Sequence, residues 1–192
     1  MKTHILLFLF VAAICSLSAQ ENSKSSIKVG LGLGFSDNDF NYGIGYVHSL
    51  GYQREIWKDR LRINPNLSIG HYNMKFLTGE SGNQFRSISY ALNFNVDVLK
   101  YKSTSLLFAC GGLVNNSRGN SDYHYYDDYG TYIPLTEPIY FNDFYYGISL
   151  AAGFRVNSKD KRTAINILPF FYELSSVSLF EFHPSIQLDF KF

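Results

Sequence analysis

The chain has 192 residues with 17 basic and 16 acidic side chains, a formal charge of +1, and no basic stripe of the kind that binds nucleic acid. Of its two cysteines, Cys15 falls in an apolar leader and Cys110 stands alone, which excludes an intrachain disulfide and a multi-cysteine metal site in the exported chain. No cofactor is expected, and one domain with one core is expected.

Residues 1–19 read as a signal peptide: Lys2 and His4 border an apolar run from Ile5 to Ile14, and Ser16, Ser18 and Ala19 supply small residues before Gln20. The run falls short of the roughly 20 apolar residues that a membrane-spanning helix needs. A lipoprotein reading with Cys15 acylated is weakened by the bulky Ile14. Residues 20–192 then form a single domain with 16 basic and 16 acidic residues once Lys2 is removed.

From there, no stretch keeps helical apolar spacing, whereas period-two alternation recurs in windows of about ten residues. Over residues 26–35, Ile27, Val29, Leu31, Leu33 and Phe35 share one face, with Lys28, Gly30, Gly32 and Gly34 on the other. Residues 42–56 set Tyr42, Ile44, Tyr46, Leu50 and Tyr52 against Gly43, Gly45, Ser49, Gly51 and Gln53. Residues 61–73 oppose Leu61, Ile63, Leu67 and Ile69 to Arg62, Asn64, Asn66, Ser68 and Gly70. Residues 87–100 alternate Ile88, Tyr90, Leu92, Phe94, Val96 and Val98 with Ser89, Ala91, Asn93, Asn95 and Asp97. Residues 105–115 are apolar on both sides, leaving the direction of Cys110 open. Residues 146–156 pair Ile148, Leu150, Phe154 and Val156 with Gly147, Ser149, Gly153 and Arg155. Windows at 163–172 and 180–192 complete the set, the last placing Phe180, Phe182, Ile186, Leu188, Phe190 and Phe192 opposite Glu181, His183, Ser185, Gln187, Asp189 and Lys191.

Eight such windows predict an all-β, closed, antiparallel, up-and-down transmembrane β-barrel. Connector lengths agree, because compact charged turns near Lys58 and Asp59, at 100–103 and at 157–161 alternate with connectors at 36–41, 76–85, 116–143 and 174–178. That alternation puts both termini on the periplasmic side and the longer connectors outside the cell. A soluble lipocalin-like carrier alternates too, but with its apolar face inside. Glycines crowding the polar face, and Tyr42, Tyr52, Tyr101, Tyr145 and Phe171 near strand ends as an aromatic belt, favour the membrane version. Pro65, Pro169 and Pro184 each remove a ladder donor and predict local irregularity, and His48 and His71 on the lipid face are expected near the interface.

The C-terminal Ile186, Leu188, Phe190 and Phe192 resemble the signature read by the barrel-assembly machinery. With the leader and the strand count, nearly the whole exported chain resembles the small outer-membrane β-barrel family of Gram-negative bacteria, which includes the OmpA-type transmembrane domain and OmpX-like proteins. The resemblance implies an outer-membrane location, contact with outer-membrane lipid and lipopolysaccharide, and engagement of the assembly machinery through Phe192.

Candidate functional residues fall in two sets. Lys28, Arg62, Asp97, Arg155, Glu181 and Asp189 face the lumen, where buried charges must pair, so a filled interior with opposite-sign contacts is expected. Residues 116–143 form the longest connector, and Asp122, Tyr123, His124, Tyr125, Tyr126, Asp127, Asp128 and Tyr129 within it offer stacking area and acceptors for a sugar, peptide or protein surface. Asp122, Asp127 and Asp128 offer oxygens to a cation, though without EF-hand spacing, and the connector is expected to extend its flanking strands as a hairpin. The His183-x-Ser185 pair resembles that of outer-membrane lipid A deacylases, yet parity turns it inward, away from the lipid such an enzyme must reach. The expectation is a non-enzymatic barrel that anchors external loops for binding, adhesion or envelope integrity, with a lipid A-modifying enzyme as the alternative.

Overall fold

The computed structural model describes residues 25–37, 42–57, 60–73, 84–121, 124–126, 132–134, 139–159, 162–175 and 179–192. The leader lies outside them. Eleven strands follow in chain order: β1 (Ser25–Asp37), β2 (Tyr42–Trp57), β3 (Leu61–Asn73), β4 (Gln84–Tyr101), β5 (Thr104–Ser121), β6 (His124–Tyr126), β7 (Tyr132–Pro134), β8 (Ile139–Asn157), β9 (Thr163–Ser175), β10 (Phe180–Phe182) and β11 (Ser185–Lys191). Each long strand pairs antiparallel with its neighbour in sequence, and β1 closes the sheet against β10 and β11. With β10 and β11 as one interrupted strand, the barrel has eight. The small β6–β7 hairpin sits in the connector between β5 and β8.

Orientation follows the sequence parity. Leu33 is 70% exposed and Phe154 50%, and the outward faces of all eight strands carry comparable apolar side chains, while Asn115, Asn166 and Asp189 inside are fully buried. An apolar exterior around a polar interior is the inverse of a soluble carrier and matches hydrocarbon as the surrounding solvent. Inward side chains with no accessible surface also mean that no water-wide channel runs beside them, so the interior is filled. Cys110, whose face the sequence left open, is exposed on the outer surface with Phe94 and Leu150 as its register partners.

The tight connections gather at one end, where Ser25 and Phe192 also lie. Between β4 and β5 only Lys102 and Ser103 intervene, and Lys102 takes φ 53, the left-handed conformation that two-residue hairpin turns require. At the opposite end, β5 and β8 run further than their apolar windows and pair out to Ser121 and Ile139, so much of the 116–143 connector is strand.

The prolines have the local effects expected of lost donors. Pro65 coincides with a break in β2–β3 pairing between Gly51 and Arg54. Pro184 splits the final strand, and Pro169 lies opposite this break, where the β8–β9 register shifts between Ala152 and Phe154. This bulge inverts the phase of β9: Ala164, Asn166 and Leu168 point inward before it, Phe171 and Glu173 after it. Three members of the expected aromatic belt are therefore corrected. Phe171 turns inward because of the phase change, and Tyr145 does so because it shares the parity of Ser149 and Arg155, on a strand that starts at Ile139 and carries it away from the end. Tyr52 is buried, its hydroxyl sharing a hydrogen bond with Ser25 Oγ at 2.8 Å. Tyr42 and Tyr101 remain exposed at strand ends.

Candidate functional site

The interior is segregated by charge along the barrel. At the end bearing the tight turns, Arg62 donates to Asp97, and Arg155 Nη1 donates to Asp189 Oδ2 at 2.6 Å and to Asn166 Oδ1 at 3.2 Å. Gln53 extends the second pair, donating to Asp189 at 3.2 Å and accepting from Asn95 Nδ2 at 3.0 Å, and Asn95 is the register partner of Arg62. Lys28 is buried with Asp189 as its register partner. Three cations and two carboxylates are thus concentrated where the strands begin and end, each carboxylate held by an arginine.

Glu181 departs from the expected pairing. It lies in the other half of the barrel, accepting from Ser36 Oγ at 3.2 Å and Tyr72 OH at 3.2 Å, and its cross-strand partner is a second carboxylate, Glu173. Glu173 accepts a short hydrogen bond from Ser89, and its Oε1 lies 3.5 Å from His183 Nε2. Alternation in the sequence missed Glu173 because Pro169 changes the phase just before it. His183 and Ser185 are both buried, as parity implies, but Ser185 Oγ and His183 Nε2 have no hydrogen-bond partner, so no activated serine is assembled.

Apolar clusters border this acidic half. Leu107, Ala151, Leu168 and Phe171 form one, and the Phe171 ring stacks on His183 with centroids 4.2 Å apart. Val47, Tyr72, Phe85 and Phe141 form the other, nearer the long connectors, with Tyr72 stacked on Phe85 at 5.0 Å. Gly34 and Gly70 make room for Tyr72: a Cβ on Gly70 would stand 2.4 Å from its ring.

A second constellation lies on the outside at the long-connector end. The register sets Tyr46, His71, Arg86, Arg118 and Asn142 side by side across β2, β3, β4, β5 and β8. Tyr46, His71, Arg86 and Arg118 border a cleft of about 530 Å³ that also includes Gln84 and Tyr140. Arg86 and Arg118 are directly opposed, an arrangement that costs stability unless an anion separates them, and Arg86 Nε makes no hydrogen bond. Sequence periodicity gave no hint of this row, because it exists only once five strands are in register.

Of the loop residues predicted to bind, Asp122, Tyr123, Asp127, Asp128 and Tyr129 lie outside the described residues, and His124, Tyr125 and Tyr126 are described only as strand β6.

No protein-family model and no curated protein matches the sequence. Solved structures match by shape. Neisserial surface protein A superimposes with a TM-score of 0.65 at 9% identity, over 90% of this chain and 100% of that one. Ail, the attachment invasion locus protein of Yersinia pestis, gives a TM-score of 0.56 at 14% identity, again over 90% of this chain and 100% of that one. The chain folds as a small outer-membrane β-barrel. Ail in complex with the heparin analogue sucrose octasulfate also superimposes, with a TM-score of 0.54 at 14% identity. At such identities the likeness is one of fold, and the barrel's chemistry has to be read from its own residues.

Proposed function

We propose that this outer-membrane barrel is a non-enzymatic anchor whose long-connector end binds anionic groups at the outer surface of the cell. The observation that carries the reading is the opposed Arg86 and Arg118, flanked by His71 and by the aromatic rings of Tyr46 and Tyr140, on the outward face where the strands leave the bilayer. Guanidinium forks beside aromatic rings suit phosphate or sulfate on a sugar. At this height the nearest such groups are the phosphates of lipopolysaccharide. Phe192, exposed with Ile186, Leu188 and Phe190 on the lipid face, is the handle for the assembly machinery.

The test is binding of the detergent-solubilised protein to lipopolysaccharide and, separately, to a soluble sulfated sugar, with Arg86→Ala/Arg118→Ala alongside wild type. Loss of roughly tenfold or more in affinity for lipopolysaccharide, with heat-modifiable gel migration unchanged, is expected from two charge-assisted contacts. Equal binding by both proteins overturns the reading. A loss confined to the soluble sugar would reassign the row to an extracellular polysaccharide.

A further inference from the structure

The acidic half of the barrel interior holds a group of side chains that anchoring does not require. Glu173 and Glu181 are directly opposed on β9 and β10, and His183 follows Glu181 on the same inward face. One potential ligand atom from each lies within 4.8 Å of the other two, and all three residues are buried. Two buried carboxylates facing each other across a strand pair repel and lose hydration. The interior cations Lys28, Arg62 and Arg155 are gathered with Asp97 and Asp189 in the other half, so they do not offset this charge.

The hydrogen bonding is incomplete in a directional way. Glu173 Oε2 is held by Ser89, and both Glu181 oxygens are held by Ser36 and Tyr72. Glu173 Oε1 and His183 Nε2, 0% and 3% exposed at the side chain, approach to 3.5 Å yet neither makes a hydrogen bond. Two buried polar atoms are thus left aimed into one small space, while donors on the far side of each carboxylate fix its orientation. This is how the partners of metal ligands are arranged.

We propose that Glu173, Glu181 and His183 form a buried site for one divalent first-row transition-metal ion, Zn²⁺ in particular. One imidazole nitrogen and two carboxylate oxygens favour such an ion over Ca²⁺ or Mg²⁺, and three protein ligands leave a coordination position for water. The ion's charge balances the two carboxylates with the imidazole neutral. Its position also has a structural use. Pairing of β9 with the last strand is interrupted between Tyr172↔Phe182 and Leu168↔Ser185, around Pro169 and Pro184, and the ion bridges β9 to β10 beside that gap. Sequence alternation could not place Glu173 with the other two, because the phase of β9 changes just before it. The site is independent of the arginine row and of any ligand bound there.

The experiment uses the full chain extracted from outer membranes in detergent, unfolded with EDTA and refolded with or without Zn²⁺. Bound zinc is counted after gel filtration, affinity is measured by competition with a chelator, and Co²⁺ is used as an absorbing probe. The site predicts one zinc per folded chain, a visible Co²⁺ band, and a melting temperature that rises with Zn²⁺ and falls again with EDTA. Glu173→Gln and His183→Gln should each weaken zinc binding roughly tenfold or more, and Tyr72→Phe, which removes a donor to Glu181, roughly tenfold. Heat-modifiable migration reports whether each variant has folded, and the wild-type measurements stand even if one has not. Failure of the wild type to retain zinc overturns the proposal, leaving a proton shared between the carboxylates. Retention undiminished in both glutamine variants overturns it too, assigning the zinc to surface histidines such as His48 and His71.

Discussion

Arg155 and Asp189 are 1% and 0% exposed at their side chains, and their 2.6 Å contact holds a charge pair away from water. Asn166 accepts from Arg155 and Gln53 donates to Asp189, so the pair is embedded in a network rather than isolated, although Arg155 Nη2 and Asp189 Oδ1 make no hydrogen bond. Arg155→Met should therefore destabilise the barrel by about 3–5 kcal/mol, because it leaves the buried Asp189 carboxylate without its hydrogen-bonded guanidinium and with only Lys28 opposite. Replacing both, as Arg155→Met/Asp189→Leu, should restore only part of that loss, because buried Lys28 then loses the carboxylate opposite it. Equilibrium urea unfolding in micelles measures both, and a single variant within about 1 kcal/mol of wild type would mean that water reaches Asp189. The same logic separates the two halves of the interior: at one end each acid has an arginine, whereas Glu173 and Glu181 have hydroxyl donors, a histidine and each other.

Among the elements, the β4–β5 hairpin and the interrupted last strand respond to opposite constraints. Lys102 adopts φ 53 because a two-residue link must follow the strands' twist, and an L side chain there is strained by about 1–2 kcal/mol. Lys102→Gly should raise unfolding stability by about 1 kcal/mol, since relief of strain exceeds the added freedom of the unfolded chain. An unchanged or lowered midpoint would show that the lysine side chain, whose Nζ lies 5.3 Å from the Tyr101 ring centroid, contributes more than the strain costs. In the last strand the difficulty is a missing donor rather than a steric clash. Phe171 accepts from His183 N at 2.9 Å and Pro184 accepts from Leu33 N at 3.2 Å, so the backbone around the break keeps partners on both neighbouring strands. The proline pair thereby turns β9 by one residue and delivers Glu173 and Phe171 to the interior.

For the molecule as a whole, the decisive property is which face meets lipid. Phe94 lies near the middle of β4 on the outer surface and Tyr101 at its end, beside the turn. Arginine at the first position should cost about 2–4 kcal/mol in bilayers and at the second about 0–1 kcal/mol, because the penalty falls with distance from the midplane. Equal costs, or a larger one at Tyr101, would place the bilayer elsewhere on the barrel. The filled interior assigns stability to the layered polar and aromatic packing inside. Function is left to the ends and to enclosed sites.

Eight strands, their parity and the alternation of tight and long connectors are local properties, and the amino-acid order alone determined them: period-two spacing has to put Leu33 and Lys28 on opposite faces. Cross-strand neighbours are not local. The opposed Arg86 and Arg118 come from β4 and β5 registers, and the approach of Glu173 to Glu181 and His183 depends on a bulge that reverses the phase of β9. Phe171 defied its assignment for the same reason, since a face can be counted from the sequence only until an extra residue resets the count. Periodicity thus sets the wall of the barrel, and closure of the sheet decides which side chains meet inside it.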